Sequence, residues 1–346
     1  MRLLFPAILL ATAAIPHVQA QTAAPVAASA NDSFAAADAR AAATKLAGDL
    51  EQTYVFPEIG RKYAAMLRAN VAGGKYDQFA TRADFAAAMT ADLKAINADG
   101  HLIVRADPPA PKDGKPRQYP NPITASGWLA PGVAYIAFRA FLGSDEEVAA
   151  VKAFMEAHKD AKSLIIDARD HHGGGLDEMN VMFSYLYPER TKLVVMDQRV
   201  VPGVNAFDFG AAMEKSDGPD GMKRQTHYSL PGPKTALATA KVYLLTSGVT
   251  ASAGEHLSMT LKRTHRATLI GETTKGAGHF GQGVQLGAGY RTFIGTGRTF
   301  DPDTGKDWEG VGVTPDIAVP ADQALDVALK QSGVQMTAAD ALAKLG

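Results

Sequence analysis

Between residues 133 and 272 the chain alternates short apolar runs rich in β-formers with stretches of helical period, and this alternation limits what it can become. The runs are "VAYIAF" (133–138), "SLIIDA" (163–168), "KLVVMD" (192–197), "KVYLLTS" (241–247) and "ATLIGE" (267–272), with "YRTFIG" (290–295) beyond them. After the first run, Ser144 opens an acidic first turn and a helix that turns Val148, Val151, Phe154 and Met155 inward. Further helices are expected around 176–187 and 253–264. Strands interleaved with helices imply an α/β (α+β) domain, a sheet covered by helices, over 123–346. The segment 201–234, rich in Gly, Pro and Asp, is too long for a plain connection and is expected to line or cover a site.

Upstream the pattern changes. Six prolines fall between Pro108 and Pro122, a density that blocks helix and central strand alike, so 106–122 reads as a linker. Before it, over 33–105, apolar residues recur at helical spacing. One stripe is Leu46, Leu50 and Tyr54, a second Ile59, Tyr63, Met66, Leu67 and Val71, a third Phe85, Met89, Leu93 and Ile96. Pro57 and the Gly73-Gly74 pair separate them, and Thr81 with Asp84 marks a helix start, giving a small helical bundle.

The first twenty residues, "MRLLFPAILLATAAIPHVQA", join a basic Arg2 to an apolar core and small residues before a cut after Ala20, the pattern of a secretory signal. Residues 21–32 read as a flexible leader. With no cysteine there is no disulfide framework, thiol nucleophile or cysteine metal site, and an exported chain without disulfides points to a bacterial periplasm or medium. A formal net charge of −1 gives no field toward nucleic acid or an anionic membrane. No segment after the signal is apolar enough to span a bilayer.

Ser252 sits where an apolar run breaks into small residues and a helix begins at Glu255. A serine there can attack a carbonyl while the next amide, that of Ala253, stabilises the oxyanion; the same position suits a plain helix cap. In "IIDARDHHGGGLDEM" (165–179) three glycines follow a strand and can turn N–H groups, Gly173 or Gly174 among them, toward an anion, or merely make a tight turn. It matches neither the nucleotide P-loop nor GxGxxG. His158 and His265 fall at helix ends and are expected in solvent. His101, in "ADGHLIV", follows a Gly turn and precedes a β-run, where a loop can aim an imidazole across a domain boundary. His171, His172 and His279 with Asp170 invite a metal, but adjacent histidines on a β-type turn point to opposite sides and ligand spacing is missing; no metal or cofactor is expected. In "DWEGVGVTPDI" (307–317), Glu309 beside Trp308 could orient an imidazole or lie on a surface turn.

Together "IIDARDHHGGG", "LLTSGVTASAGEHLSMTLKRTHRATLIGETTKGAGH" and "DWEGVGVTPDIAV" resemble, in that order, the tail-specific and C-terminal-processing serine peptidases with their tricorn-core and interphotoreceptor-retinoid-binding relatives. The helical stretch ending in "DGHL" is similar to the N-terminal bundle of the last two. The resemblance implies a crotonase-like αβ fold after the bundle, without the PDZ domain of the tail-specific branch, because too few residues separate the two parts. It implies Ser252 as nucleophile, the Ala253 amide and Gly173 or Gly174 as oxyanion donors, His101 as base and Glu309 as its support. The lysine of the serine/lysine branch falls at Ala277, so that dyad is absent and Lys275 is only a fallback. Gly100 stands where the tricorn core has a serine, and Ala168 and His171 where a leucine and an asparagine are usual. The expected activity is hydrolysis of peptides or proteins by an exported serine peptidase. The alternatives are an esterase, or a binder of apolar ligands in a pocket formed with Trp128, Phe207 and Phe209.

Overall fold

A computed structural model describes residues 33–108, 121–203 and 205–345. The expected signal sequence (1–20), the leader (21–32) and residues 109–120 of the linker lie outside the described residues.

Three helices open the fold: α1 (Ala36–Thr53), α2 (Pro57–Ala72) and α3 (Arg82–Lys94). Pro57 sits in the first turn of α2, where its missing N–H costs nothing. Thr81 caps α3 in a reciprocal box, its Oγ1 accepting from the Asp84 N–H while the Asp84 carboxylate accepts from the Thr81 N–H. Leu46, Leu50, Tyr63, Leu67, Phe85, Met89 and Leu93 are all fully buried, the inner members of the three stripes. Their core is not closed by helices alone, because Leu286, Tyr290 and Ile294 of a β-hairpin complete it.

After the short β1 (Arg105–Ala106) come β2 (Ile123–Ala130), β3 (Val133–Phe138), α4 (Asp145–Ala157), β4 (Ser163–Asp167), α5 (Asp177–Leu186), β5 (Lys192–Arg199), β6 (Met213–Asp217), β7 (Met222–Tyr228) and β8 (Lys241–Thr246). The chain then runs through α6 (Ala253–Arg263), β9 (Thr268–Gly271), β10 (His279–Gly287), β11 (Tyr290–Phe300), β12 (Ile317–Ala318), α7 (Ala324–Gln331) and α8 (Ala338–Leu342). One sheet has the order β12-β9-β8-β4-β3-β2, parallel except for the β2–β3 pair. Its central strands are apolar on both faces because both are covered. Leu164, Ile166, Val242, Leu244 and Leu269 pack toward α4, α5 and α6. Ile165, Tyr243, Leu245 and Ile270 pack toward α7 and α8.

The second sheet is antiparallel, ordered β1-β11-β5-β7-β6 with β10 also on β11. Two of its strands run through the segment expected as a loop at 201–234. Strands β6 and β7 carry "MEKSD" and "MKRQTHY", whose polar residues are held by ladder bonds and by Arg224 paired with buried Asp197 at 2.7 Å, so no apolar alternation announces them. His158 is likewise not in solvent: its ring stacks on Phe154, centroids 4.2 Å apart, and its Nδ1 lies 2.7 Å from the Phe154 carbonyl oxygen. Among the described residues no helix is long and apolar enough to cross a membrane.

Candidate active site

Strands β4, β8 and β9 run parallel, so their carboxyl ends share one edge of the sheet, where crevices form. Three loops leave that edge and are laced together. The Ser247 hydroxyl donates to the Arg169 carbonyl at 2.6 Å, the Thr250 hydroxyl to that of Ala168 at 2.7 Å, and the Ala251 N–H to that of His171 at 2.9 Å. The Lys275 N–H closes the third loop onto the Thr250 carbonyl at 2.9 Å.

This lacing delivers Ser252 to the N-cap position of α6 in a conformation that serine avoids, φ +55° and ψ −116°. Such a backbone costs about 1–3 kcal/mol and persists only where its surroundings over-determine it. Glu255 is the main determinant. Fully buried, it takes the Ser252 N–H (2.9 Å) and Ala277 N–H (2.8 Å) on Oε2, and the Gly276 N–H and Thr274 hydroxyl (both 2.6 Å) on Oε1. Burial pushes its carboxyl above the ordinary range, against the pull of the Thr274 hydroxyl and the backbone donors. On the other side Gly173, at φ +113°, lies so close that a Cβ there would sit 2.8 Å from the Ser252 Cβ.

Two amides beside the serine have no partner among the described residues: the Ala253 N–H at the start of α6 and the Gly174 N–H. The Gly173 N–H is used, donating to His171 Nδ1 at 3.1 Å. His171 is fully buried against Phe141, burial lowers it to about 3, and its Nδ1 accepts, so it is neutral with the proton on Nε2. His172 next to it is exposed beside Asp170, so the adjacent histidines do point apart.

Ser252, Ala253 and Gly174 line one cavity of about 60 Å³ with His279, Thr299 and His256, whose Nε2 is engaged with His227 Nδ1 at 2.9 Å, and Leu176, Met196, Phe209, Phe280 and Trp308 supply its apolar walls. His279 is buried, and its Nδ1 lies 2.8 Å from Asp99 Oδ2 and 3.6 Å from Glu309 Oε2. Asp99 Oδ2 also accepts from the Tyr54 hydroxyl at 2.8 Å, and its Oδ1 from the N–H groups of His101 (2.8 Å) and Leu102 (3.0 Å). Burial works to raise the Asp99 carboxyl, yet its bond to His279 and the neighbouring donors bring it down to about 2. Burial likewise opposes charge on His279, but Asp99 and then Glu309 raise it above the ordinary histidine value.

Glu309 ties two loops together: Oε1 accepts from the Gly100 N–H, Oε2 from the N–H groups of Gly278 (2.6 Å) and His279 (2.8 Å). Asp99, His279 and Glu309 are near enough on distance to share a cation, but their facing atoms are already engaged with one another or with backbone donors. His101 lies on the loop next to this cluster, its ring tilted over Phe293 with centroids 4.9 Å apart. Its Nδ1 is buried without a partner, and burial lowers it to about 4. Neither His101 nor His279 is hydrogen-bonded to Ser252 among the described residues.

Ala277, at the dyad lysine's place, is buried in the cavity wall, and Lys275 is exposed. Of the aromatics suggested for an apolar ligand, Phe209 lines the cavity and stacks on Phe207, whereas Trp128 is exposed on edge strand β2 against His158. Sequence reasoning placed His279 only among metal candidates and passed over Asp99. The available signal was "DGH" itself, since a carboxylate two residues before a histidine on a Gly turn can bond its own loop.

Residues 132–319 match the family model described as peptidase family S41. The chain belongs to peptidase family S41. Residues 37–127 match the N-terminal domain of peptidase S41 in eukaryotic IRBP. The chain is 29% identical over 246 residues to the chloroplastic C-terminal processing peptidase of Tetradesmus obliquus, covering 65% of this S41 chain and 47% of that relative. It thus spans about half the length of the curated relative it matches. Among solved structures, the photosystem II D1 C-terminal processing protease aligns with TM-score 0.51 at 16% identity over 88% of this chain and 99% of its own. A lipoprotein from Streptococcus agalactiae aligns with TM-score 0.55 at 14% identity over 86% and 96%. These likenesses establish a shared mixed α/β fold with an N-terminal helical region.

Proposed function

We propose that this S41 member is an exported serine peptidase whose nucleophile is Ser252. The observation that carries this reading is the strained serine at a helix N-terminus beside the unused N–H groups of Ala253 and Gly174. In the proposed reaction Ser252 Oγ attacks the peptide carbonyl as its proton passes to a histidine. The carbonyl oxygen, now an oxyanion, is held by the two amides and favoured by the positive end of α6. The histidine returns the proton to the leaving amine, and water then hydrolyses the acyl-enzyme. Glu309 holds the loops that carry His101 and His279 against each other, a supporting role rather than a chemical one. Of the two oxyanion glycines that the resemblance implies, Gly174 is favoured because the Gly173 N–H is already engaged.

The Tetradesmus relative is named for C-terminal processing, so unstructured carboxyl-terminal tails are the first substrates to test. Export would follow from cleavage after Ala20, leaving Gln21 at the N-terminus of secreted protein. The proposed domain division is a bundle over 33–105, a linker over 106–122 and a catalytic domain over 123–346.

The test is a fluorophosphonate probe on the mature protein, with the adduct located by mass spectrometry, alongside cleavage of tail-bearing proteins and of simple esters. Labelling at Ser252, lost in Ser252→Ala together with tail cleavage, is expected. A folded Ser252→Ala that still cleaves would overturn the reading. Ester turnover without peptide cleavage would make the chain an esterase on the same machinery.

A further inference from the structure

We propose that His279, oriented by Asp99, is the general base of the Ser252 site. The inference rests on Ser252 being the nucleophile and deepens that reading.

Three observations carry it. First, His279 and Ser252 line the same cavity. Second, His279 spends Nδ1 on Asp99 at 2.8 Å and keeps Nε2 free of any partner among the described residues, which fixes the proton on Nδ1 and the lone pair on Nε2. Third, Asp99 is pinned by donors on both oxygens, Tyr54 Oη and His279 on one and two backbone N–H groups on the other, so it remains an anion facing the ring. A base needs its charged form stabilised at the moment it takes the proton, and a fixed carboxylate on the far nitrogen supplies this. His101 offers the reverse: a buried Nδ1 with no acceptor, and a ring resting on Phe293.

In the step itself the Ser252 Oγ–H proton moves to His279 Nε2 as the Oγ–C bond forms and the carbonyl π pair moves to oxygen. The imidazolium returns that proton to the amine nitrogen as the C–N bond breaks. Water repeats the cycle, giving its proton to Nε2 and its oxygen to the acyl carbon, and Ser252 leaves with the proton. Asp99 follows the third helix and bonds Tyr54 at the end of α1, so the helical region supplies the base's orienting group.

The acidic groups acting on His279 are Asp99, Glu309 and Asp307, and the basic groups around it are His101 when protonated, Lys275 on the preceding loop and Arg298, which is opposite His279 in the β10–β11 pair and bound to Asp307. The net push is upward, so the acid limb of acylation lies above the ordinary histidine pKa of 6.5. Single-turnover acylation by a fluorophosphonate or an activated ester, followed across pH, tests this. Wild type should lose rate on acidification through that limb, and Asp99→Asn should move the limb to lower pH and slow acylation. His279→Gln should lose on the order of 10²–10⁴-fold and exceed the deficit of His101→Gln by more than tenfold. Free imidazole should partly restore His279→Gly.

An acid limb near pH 4, or His101→Gln the more damaged of two folded variants, overturns the assignment. If Ser252→Ala is inert while folded His279→Gln acylates normally, this inference fails alone. If Ser252→Ala retains activity, the proposed function fails with it.

Discussion

Glu255 does not itself line the cavity that holds Ser252, yet replacing it with glutamine should be among the most damaging isosteric changes in the molecule. Its two oxygens accept from four donors, and the carboxylate is fully buried, as are three of the four donor residues, Thr274, Gly276 and Ala277. A glutamine keeps one accepting oxygen and turns the other into a donor. The less costly orientation puts the NH₂ toward Thr274, whose hydroxyl already accepts from the Val313 N–H and loses the acceptor for its own proton, and leaves the Gly276 N–H facing another donor. An orphaned buried donor costs about 1–3 kcal/mol, two are left here, and losing charge assistance in the remaining bonds adds to it. Relief from burying a charge offsets part, so the net destabilisation is about 2–4 kcal/mol. The latch on the Ser252 N–H weakens with it, and the serine is expected to relax from φ +55° to an ordinary conformation. Urea unfolding should show the loss, and the probe-labelling rate at Ser252 should fall even at low temperature where the variant is folded. Adding Ser252→Gly, which takes a positive φ freely, should recover part of the stability but none of the labelling. Glu255→Gln within 0.5 kcal/mol of wild type and labelled at its rate would refute the latch.

Gly174→Ala should lose on the order of 10²-fold or more in acylation and displace the loop that carries the amide, because its φ of +131° is closed to alanine and a Cβ would strike the Phe141 carbonyl. Steady-state labelling beside a thermal melt separates lost chemistry from lost fold. Leu50→Ala empties a site in the core shared with Tyr290 and Ile294, so a loss of about 2–5 kcal/mol in one cooperative transition is expected by denaturant titration, not melting of a detached bundle. The protein should also lose stability on acidification. His171 and His256 are lowered to about 3 and His101 to about 4 from 6.5, each mainly by burial, and His227 is also lowered. A depressed folded value means the unfolded chain binds the proton first, so their stabilisation is present above pH 6.5 and is lost as pH falls toward those values. Each contributes up to about 1.4 kcal/mol per pH unit in that window, measurable as a slope of unfolding free energy between pH 7 and 5 that flattens in His171→Asn.

The central sheet was legible because burial on both faces demands continuous apolar runs, and the strands at 133, 163, 241 and 267 carry them. The three bundle helices were legible for a similar reason, since Leu46, Leu50, Leu67 and Phe85 repeat at helical spacing and Pro57, Gly73 and the Thr81 box mark the breaks. Strands β6, β7 and β10 were hidden. Strands β6 and β7 are largely polar and β10 is interrupted by glycines, so none carries a continuous apolar run, and what makes them strands is their pairing into one sheet with β5 and β11.

The site divides the same way. A serine between a strand and a helix, three glycines after another strand, and a glutamate in the 307–317 turn are local patterns, and the sequence alone marks Ser252, Gly173, Gly174 and Glu309 as candidates. Sequence could not say which glycine amide stays free, because that depends on His171 folding back to take one of them. Nor could it pair Asp99 with His279, 180 positions apart, since only the packing of the helical region against the β10–β11 hairpin brings the carboxylate to the ring. Local patterns survive in one dimension because they are set by neighbours. The orientation of an imidazole is set by a partner that folding brings from elsewhere, and it exists only in three.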